Sequence, residues 1–140
     1  MNLAYTVETQ TRVRYSETDK MGYVYYGNYP TYFEIGRVEC LRTLGLPYSE
    51  MENQGVMLPV RNLNVDYKAP AMYDDLLTIK TTIIALKGSR IVFKYEIENE
   101  DGRLLTIGET SLVFVNAENR RPIRPTNEII EKLKPYEVHE

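Results

Sequence analysis

Polar and apolar residues alternate through much of the second half of this chain. Ile91, Phe93, Tyr95 and Ile97 occupy every second position, with mostly polar residues between them. Because successive residues of a strand point to opposite faces, this period of two predicts a β-strand with one buried face. Alternating or continuously apolar stretches predict further strands near residues 7–15, 62–67, 76–86 and 104–115.

Turn residues between these stretches indicate hairpins. Lys87-Gly88-Ser89 follows the 76–86 stretch, and Asp101-Gly102 precedes the 104–115 stretch. Glycine favours such tight turns because it readily adopts positive φ. Pro70 ends the 62–67 stretch, since proline cannot donate to a sheet ladder. The pattern therefore predicts a meander of long antiparallel strands.

One long helix is predicted over residues 28–44. Asn28 suits the N-cap, Pro30 falls in the first turn, and Gly45 followed by Pro47 marks the end. Apolar residues lie on more than one side of this helix, which favours burial. With a short C-terminal helix, these elements predict an α+β fold in which a curved antiparallel sheet of about five strands wraps the central helix.

The length of 140 residues fits one domain, residues 1–140. Lys and Arg number 17 against 20 Asp and Glu, a net charge of −3, so neither nucleic acid nor a membrane surface is an expected partner. The N-terminus resembles no signal peptide, and no apolar run is long enough to span a bilayer. Cys40 is the single cysteine and suits a reducing compartment, so we expect a cytoplasmic protein.

The scarcity of histidine and cysteine excludes several chemistries. His139 is the only histidine and lies one residue from the C-terminus, where chains commonly fray. A Ser-His-Asp or Cys-His relay needs an imidazole held beside the nucleophile, and a zinc site needs more Cys or His ligands. The glycines form neither a dinucleotide-binding nor a Walker-type loop. We therefore expect no protein-built zinc site and no nucleotide-fuelled chemistry.

Asp19 is the leading candidate for chemistry. It lies in a polar loop just before a Gly-punctuated aromatic run that opens the long helix. A carboxylate beside the amide-rich start of a helix can attack a carbonyl, or activate water for that attack, while the amides stabilise the oxyanion. A short Asp in such a loop can instead serve only to hold the turn.

The segment 14–29 reads RYSETDKMGYVYYGNY, and FEIGR follows at 33–37. It resembles the Tyr-x-x-Thr-Asp-x-x-Gly-x-Val-Tyr-His-x-Asn-Tyr signature of the 4-hydroxybenzoyl-CoA thioesterase family, especially its short bacterial acyl-CoA thioesterase branch. A second resemblance covers LPVR at 58–61, VDYKAPA at 65–71 and Asp74-Asp75. Together the two motifs imply the hotdog fold over most of the chain.

The resemblance implies hydrolysis of an acyl-CoA thioester, without a cofactor, in a site shared by two subunits. Asp19 takes the position of the nucleophile or general base, and both roles stay open. Backbone amides of the helix start, from Tyr25 to Asn28, would polarise the thioester carbonyl, which makes Tyr26 and Gly27 catalytic candidates with Asp19. One helix-start donor can contribute ~3 kcal/mol to such a transition state.

Tyr26 stands where the family motif has histidine, and a phenol does not readily exchange a proton near neutral pH. This departure leaves two alternatives to acyl-CoA hydrolysis. One is a non-catalytic hotdog module that binds acyl-CoA or an acylated carrier protein. The other is a thioesterase acting on acyl carrier protein, and sequence does not settle the acyl group.

Substrate contacts are expected from two further sets of residues. The resemblance places Gly22, Val24, Tyr25, Asn28 and Tyr29 around the acyl site, whereas CoA phosphates call for basic residues. The candidates are the hairpin residues Lys87, Ser89 and Arg90, which the resemblance favours over a second basic pair, Arg120 and Arg121, and the strand residue Arg61. Long strands need paired edges, and the family pairs them in a homodimer, with a tetramer of two dimers as the open alternative.

Overall fold

The computed structural model describes residues 1–139. The chain forms seven strands and three helices in this range: β1 Asn2–Arg12, α1 Tyr29–Thr43, α2 Tyr48–Asn53, β2 Val56–Met57, β3 Val60–Tyr67, β4 Leu76–Lys87, β5 Arg90–Glu98, β6 Leu104–Val113, β7 Val115–Asn116 and α3 Asn127–Leu133. Short 3-10 turns at Tyr15–Glu17 and Tyr26–Asn28 lie between β1 and α1. None of the helices in residues 1–139 has the length and apolarity needed to cross a membrane.

Five strands form one antiparallel sheet in the order β1-β4-β5-β6-β3. The predicted hairpins are present: Lys87 pairs with Arg90 at the β4–β5 turn, and Glu98 pairs with Leu104 at the β5–β6 turn. β1 and β3 are added at the two edges, so only β4, β5 and β6 form the predicted meander. A small second sheet pairs β2 with β7.

Helix α1 covers the buried face of this sheet and contacts β1, β4 and β5. Alternate residues of β5 fill the core beneath it, and all four predicted inward positions are fully buried: Ile91, Phe93, Tyr95 and Ile97. The Phe33 ring of α1 stacks on Tyr95 with centroids 4.4 Å apart. The α+β prediction of one helix against a five-stranded antiparallel sheet is therefore confirmed.

Several local predictions differ from the structure. The first strand begins at Asn2 rather than near residue 7 and ends at Arg12, because its pairing with β4 sets its limits. Helix α1 buries one face only: Ile35 and Val38 are half-buried and Glu34 is exposed. Asn28 directly precedes α1 but makes no side-chain cap; its Nδ2 donates to the Glu17 carbonyl instead.

Edge strand β3 also departs from expectation. The alternation within 62–67 predicts a covered apolar face, yet Leu63 and Tyr67 are 45% and 48% exposed. Val60 at the start of the strand is equally exposed, at 47%. β3 is hydrogen-bonded on one side to β6 and has no strand on its other side among residues 1–139.

Candidate active site

The Asp19 carboxylate is fixed by its own loop. Its Oδ1 accepts hydrogen bonds from the backbone amides of Met21 and Tyr23, at 2.9 and 3.2 Å. The Asp19 amide donates to the Tyr23 carbonyl at 2.7 Å, and Gly22 turns the chain with φ of +80°. This φ is costly for any residue with a Cβ, which explains glycine here. Oδ2 has no hydrogen-bond partner within residues 1–139, so it is available to a substrate or water.

Backbone pairing ties this loop to the segment after β3. The Val24 amide donates to the Ala71 carbonyl at 2.8 Å, and Tyr23 forms an isolated bridge with Met72. Residues from two distant parts of the sequence are thus held side by side. This pairing fixes the position of Asp19 relative to the end of β3.

A cleft of about 330 Å³ opens between these two segments. Both contribute to its walls, which are mostly apolar or aromatic: Asp19, Met21, Tyr23, Val24, Tyr26, Tyr29, Tyr67, Lys68, Ala69 and Pro70. A mostly apolar cleft with a few polar groups is typical of small-ligand sites. Among the lining residues, Asp19 carries a carboxylate and Lys68 a positive charge. Lys68 also forms an ion pair with Asp66, with Nζ 2.9 Å from Oδ2.

The 3-10 turn before α1 adjoins this cleft through Tyr26. Two amides of the predicted Tyr25–Asn28 stretch are already used: Tyr25 donates to the Glu17 carbonyl and Asn28 to the Tyr25 carbonyl, both at 2.9 Å. The amides of Tyr26 and Gly27 have no acceptor within the described residues. Free amides at a helix start can bind developing negative charge.

Tyrosines surround the turn and the floor of the cleft. The Tyr67 hydroxyl donates to the Tyr26 carbonyl at 3.0 Å, and the Tyr67 ring lies edge-to-face on Tyr29 with centroids 5.2 Å apart. Burial raises the pKa of Tyr29 above its ordinary value, and burial followed by the proximity of Tyr26 raises the pKa of Tyr67. These phenols therefore stay protonated near neutral pH and can act as hydrogen-bond donors.

Glu17 holds the Tyr26–Asn28 turn from its other side through hydrogen bonds. Its Oε1 accepts from the Arg14 amide at 2.9 Å and from the Tyr32 hydroxyl at 3.0 Å. Burial, together with the nearby Glu17 charge, raises the pKa of Tyr32. The Glu17 carbonyl also accepts from Tyr25 and Asn28, so one residue of the first turn anchors the second turn. Within residues 1–139, no three His, Cys, Asp or Glu side chains are grouped as metal ligands would be.

Comparison with known proteins identifies the family. The thioesterase superfamily matches residues 21–106, which include the cleft residues that follow Asp19. This chain belongs to the thioesterase superfamily. The resemblance to 4-hydroxybenzoyl-CoA thioesterases and the hotdog fold inferred from the motifs are confirmed.

Curated relatives and solved structures agree with this membership. A putative acyl-CoA thioesterase of Bacillus subtilis, YneP, is 38% identical over 82% of this chain and 83% of its own length. The acyl-CoA thioester hydrolase YbgC of Escherichia coli is 33% identical over 88% of this chain and 92% of its own. The DHNA-CoA thioesterase structure from Staphylococcus aureus is 43% identical, with a TM-score of 0.83 over 85% of this chain and 80% of its own.

For this member of the thioesterase superfamily, the structure brings only part of the residue set expected around the acyl group to the Asp19 cleft. Val24, Tyr26 and Tyr29 line the Asp19 cleft, and Gly22 and Gly27 shape the loop and the turn. Tyr25 and Asn28 do not line it: the Tyr25 ring packs on Tyr26, and Asn28 holds the turn to Glu17.

The basic residues expected to bind CoA phosphates lie elsewhere in one chain. Lys87, Ser89 and Arg90 form the β4–β5 turn, whereas the end of β3 that lines the cleft lies beside the opposite end of the sheet. Tyr67 lies level with Ile97 through Thr106, and seven residue steps of β5 separate Ile97 from Arg90, so these ends are roughly 23 Å apart along the strands. Arg61 is exposed on β3 and does not line the cleft. Contact between these residues and a substrate stays a prediction that requires a second subunit.

Met21 of the Asp19 loop was missed as a site candidate, and so were four cleft residues at the end of β3 and just after it: Tyr67, Lys68, Ala69 and Pro70. The VDYKAPA motif at 65–71 contains these last four and was the sequence signal that could have found them. Local pattern alone does not reveal that this motif faces Asp19, because the contact joins residues nearly fifty positions apart.

Proposed function

We propose that this thioester hydrolase acts on acyl-CoA esters and uses Asp19 as its catalytic carboxylate. The observation that carries the proposal is that Oδ2 of Asp19 has no hydrogen-bond partner within residues 1–139 and lies in an apolar cleft that Tyr26 also lines. The Tyr26 and Gly27 amides, in the turn that contains Tyr26, also have no acceptor within those residues. A carboxylate and oxyanion donors on one cleft are the two groups that carbonyl attack requires.

In this proposal the carbonyl oxygen of the thioester faces the Tyr26–Gly27 turn. The amides and the N-terminal end of α1 stabilise negative charge as the tetrahedral intermediate forms. Asp19 either attacks the carbonyl carbon through Oδ2, giving an anhydride that water cleaves, or takes a proton from the attacking water. Either route expels CoA as thiolate and needs no imidazole, so Tyr26 in place of histidine is compatible with turnover.

We propose that the acyl group carries an aromatic ring. Four tyrosines line the cleft, and offset or edge-to-face contacts between rings add to the gain from apolar burial: Tyr23, Tyr26, Tyr29 and Tyr67. The Staphylococcus aureus relative, named a DHNA-CoA thioesterase, supports testing this class first.

We also propose a homodimer in the cytoplasm. The free edge of β3 and its exposed apolar residues Val60, Leu63 and Tyr67 support pairing with a second copy, because an uncovered apolar edge strand invites association. The buried free thiol of Cys40 suits a reducing compartment.

The test is thiol release from a panel of aromatic, short-chain and long-chain acyl-CoAs, with Asp19→Asn and Asp19→Ala compared at matched oligomeric state. Asparagine keeps an oxygen for the Met21 and Tyr23 amides but loses the charge, so it separates chemistry from loop structure. Asp101→Asn is the control, because it removes the same charge from an exposed turn of the β5–β6 hairpin.

We expect both Asp19 variants to lose at least a hundredfold in kcat and Asp101→Asn to match wild type. A folded Asp19→Asn with wild-type turnover would refute the catalytic assignment. Binding of acyl-CoA without turnover by wild type would favour the non-catalytic module, and turnover of acylated carrier protein alone would favour the carrier-protein thioesterase.

A further inference from the structure

The two free amides of the turn belong to peptides whose carbonyl ends are both occupied. The Tyr26 amide shares a peptide with the Tyr25 carbonyl, which accepts from the Asn28 amide at 2.9 Å. The Gly27 amide shares a peptide with the Tyr26 carbonyl, which accepts from the Tyr67 hydroxyl at 3.0 Å. Because a peptide is planar and trans, fixing its carbonyl also fixes the direction of its N–H.

The two hydrogen bonds that fix these carbonyls are donated by different parts of the fold. Asn28 belongs to the turn itself, so its hydrogen bond forms with the local fold. Tyr67 lies at the end of β3, 41 positions away, and its place is set by the sheet, where it pairs with Thr106 of β6. The Tyr67 ring is held further by edge-to-face contacts with Tyr26 and Tyr29. The Tyr67 hydroxyl thus attaches the turn to the sheet.

We propose that Tyr67 is a positioning residue for the oxyanion donors. Its hydroxyl holds the Tyr26–Gly27 peptide in one orientation and polarises it, so that the Gly27 amide is a stronger and better-placed donor and the neighbouring Tyr26 amide moves less. Hydrogen bonds in series strengthen one another, and the effect grows when bound substrate excludes water. This role rests on the proposed hydrolysis and adds a residue that does not touch the reacting atoms.

The Tyr67 hydroxyl should affect the rate of the chemical step more than the binding of substrate. The thioester carbonyl carries little charge before attack, so orientation of the amides matters little for the bound substrate. The tetrahedral intermediate carries a full negative charge on that oxygen, and donors that are already oriented stabilise it without reorganisation. Loss of the Tyr67 hydroxyl therefore lowers the chemical rate and leaves KM nearly unchanged.

Tyr67→Phe tests the proposal, because it removes the hydroxyl and keeps the ring. The control is Tyr73→Phe, which removes a hydroxyl that is exposed, lies outside the cleft and has no hydrogen bond among residues 1–139. Single-turnover rates on the best substrate of the panel isolate chemistry from product release. We expect a rate about tenfold lower for Tyr67→Phe, a KM within twofold of wild type, and no change for Tyr73→Phe.

A second readout is independent of activity. In protein without substrate, the amide resonance of Gly27 should shift on Tyr67→Phe and stay in place on Tyr73→Phe. A Tyr67→Phe rate within twofold of wild type, a raised KM at unchanged rate, or an unmoved Gly27 resonance would each overturn the proposal. If Asp19→Asn is inactive while Tyr67→Phe is normal, only the Tyr67 role fails; if wild type hydrolyses no thioester, the proposed function fails with it.

Discussion

Gly36 of α1 marks the closest approach of the helix to the sheet, and a methyl group there is predicted to destabilise the fold. A Cβ at this position would overlap the Thr81 hydroxyl and lie 2.9 Å from Cγ2 of Ile79. Both neighbours are fully buried on β4, which is paired on both sides. Neither side chain can move away without disturbing the centre of the sheet.

Two opposing terms decide the outcome of Gly36→Ala. Alanine is favoured over glycine in a helix interior by ~1 kcal/mol. Forcing a methyl into a packed core costs ~1–3 kcal/mol, and the overlap with two immobile neighbours puts this site at the upper end. The steric cost exceeds the gain in helix propensity by about 2 kcal/mol. For a chain of this size, that loss of stability lowers Tm by about 6–8 °C.

The assay is denaturant unfolding at one fixed protein concentration, because the stability of the proposed dimer would depend on concentration. The Thr81 hydroxyl has no hydrogen-bond partner within residues 1–139, so Thr81→Ala vacates the required space without breaking a bond. We expect the double variant to be more stable than the sum of the single variants by about 1 kcal/mol. A Gly36→Ala protein as stable as wild type, or more stable, would refute the close-packing argument.

Two further predictions concern buried ionisable groups. Burial raises the pKa of the Cys40 thiol to about 12, so the native protein should not react with a disulfide reagent at pH 8. Unfolding should expose one reactive thiol. Fast reaction of the native protein would contradict this prediction. Burial likewise raises the pKa of Tyr95 to about 12, while its hydroxyl is paired with Thr110 at 2.6 Å. The folded pKa exceeds the unfolded value of 10.0, so the stability from Tyr95 is present below about pH 10 and is lost as pH rises towards 12. Tyr95→Phe should show a shallower alkaline loss in the free energy of unfolding, and identical profiles would exclude this role.

Sequence pattern predicted elements well where local signals were strong. Helix α1 spans Tyr29–Thr43 against a prediction of 28–44, since Pro30 and Gly45 mark its limits. Strand β1 was placed about five residues late at its start, because only its pairing with β4 defines where it begins. The short helix α2 was missed, although Pro47 at its start and Glu50 in its first turn are compatible signals.

The candidate site was likewise predicted where its signals are local in sequence and missed where they are not. The Asp19 loop and the following turn lie within fifteen residues of one another, and their motif located both. Tyr67 was not recognised as a site residue because its contact with Tyr26 depends on how β3 joins the sheet, and the burial of β3 was itself misjudged from alternation. An alternating strand indicates an apolar face but does not say whether the same chain covers it.

The Asp19 loop and the Tyr26–Gly27 turn are both held by residues at the end of β3 or just after it. The Asp19 loop is paired to Ala71 and Met72 after β3, and the amide-bearing turn is bonded to Tyr67 at the end of β3. The spacing of the Asp19 carboxylate and the Tyr26–Gly27 amides is therefore held by residues 67–72, together with the Glu17 carbonyl on the other side of the turn. If β3 pairs with a second copy, as its exposed apolar residues favour, that pairing stiffens the segment holding both halves of the site. Dimer formation and alignment of the catalytic groups would then depend on the same strand, because attack requires both halves to be in place together.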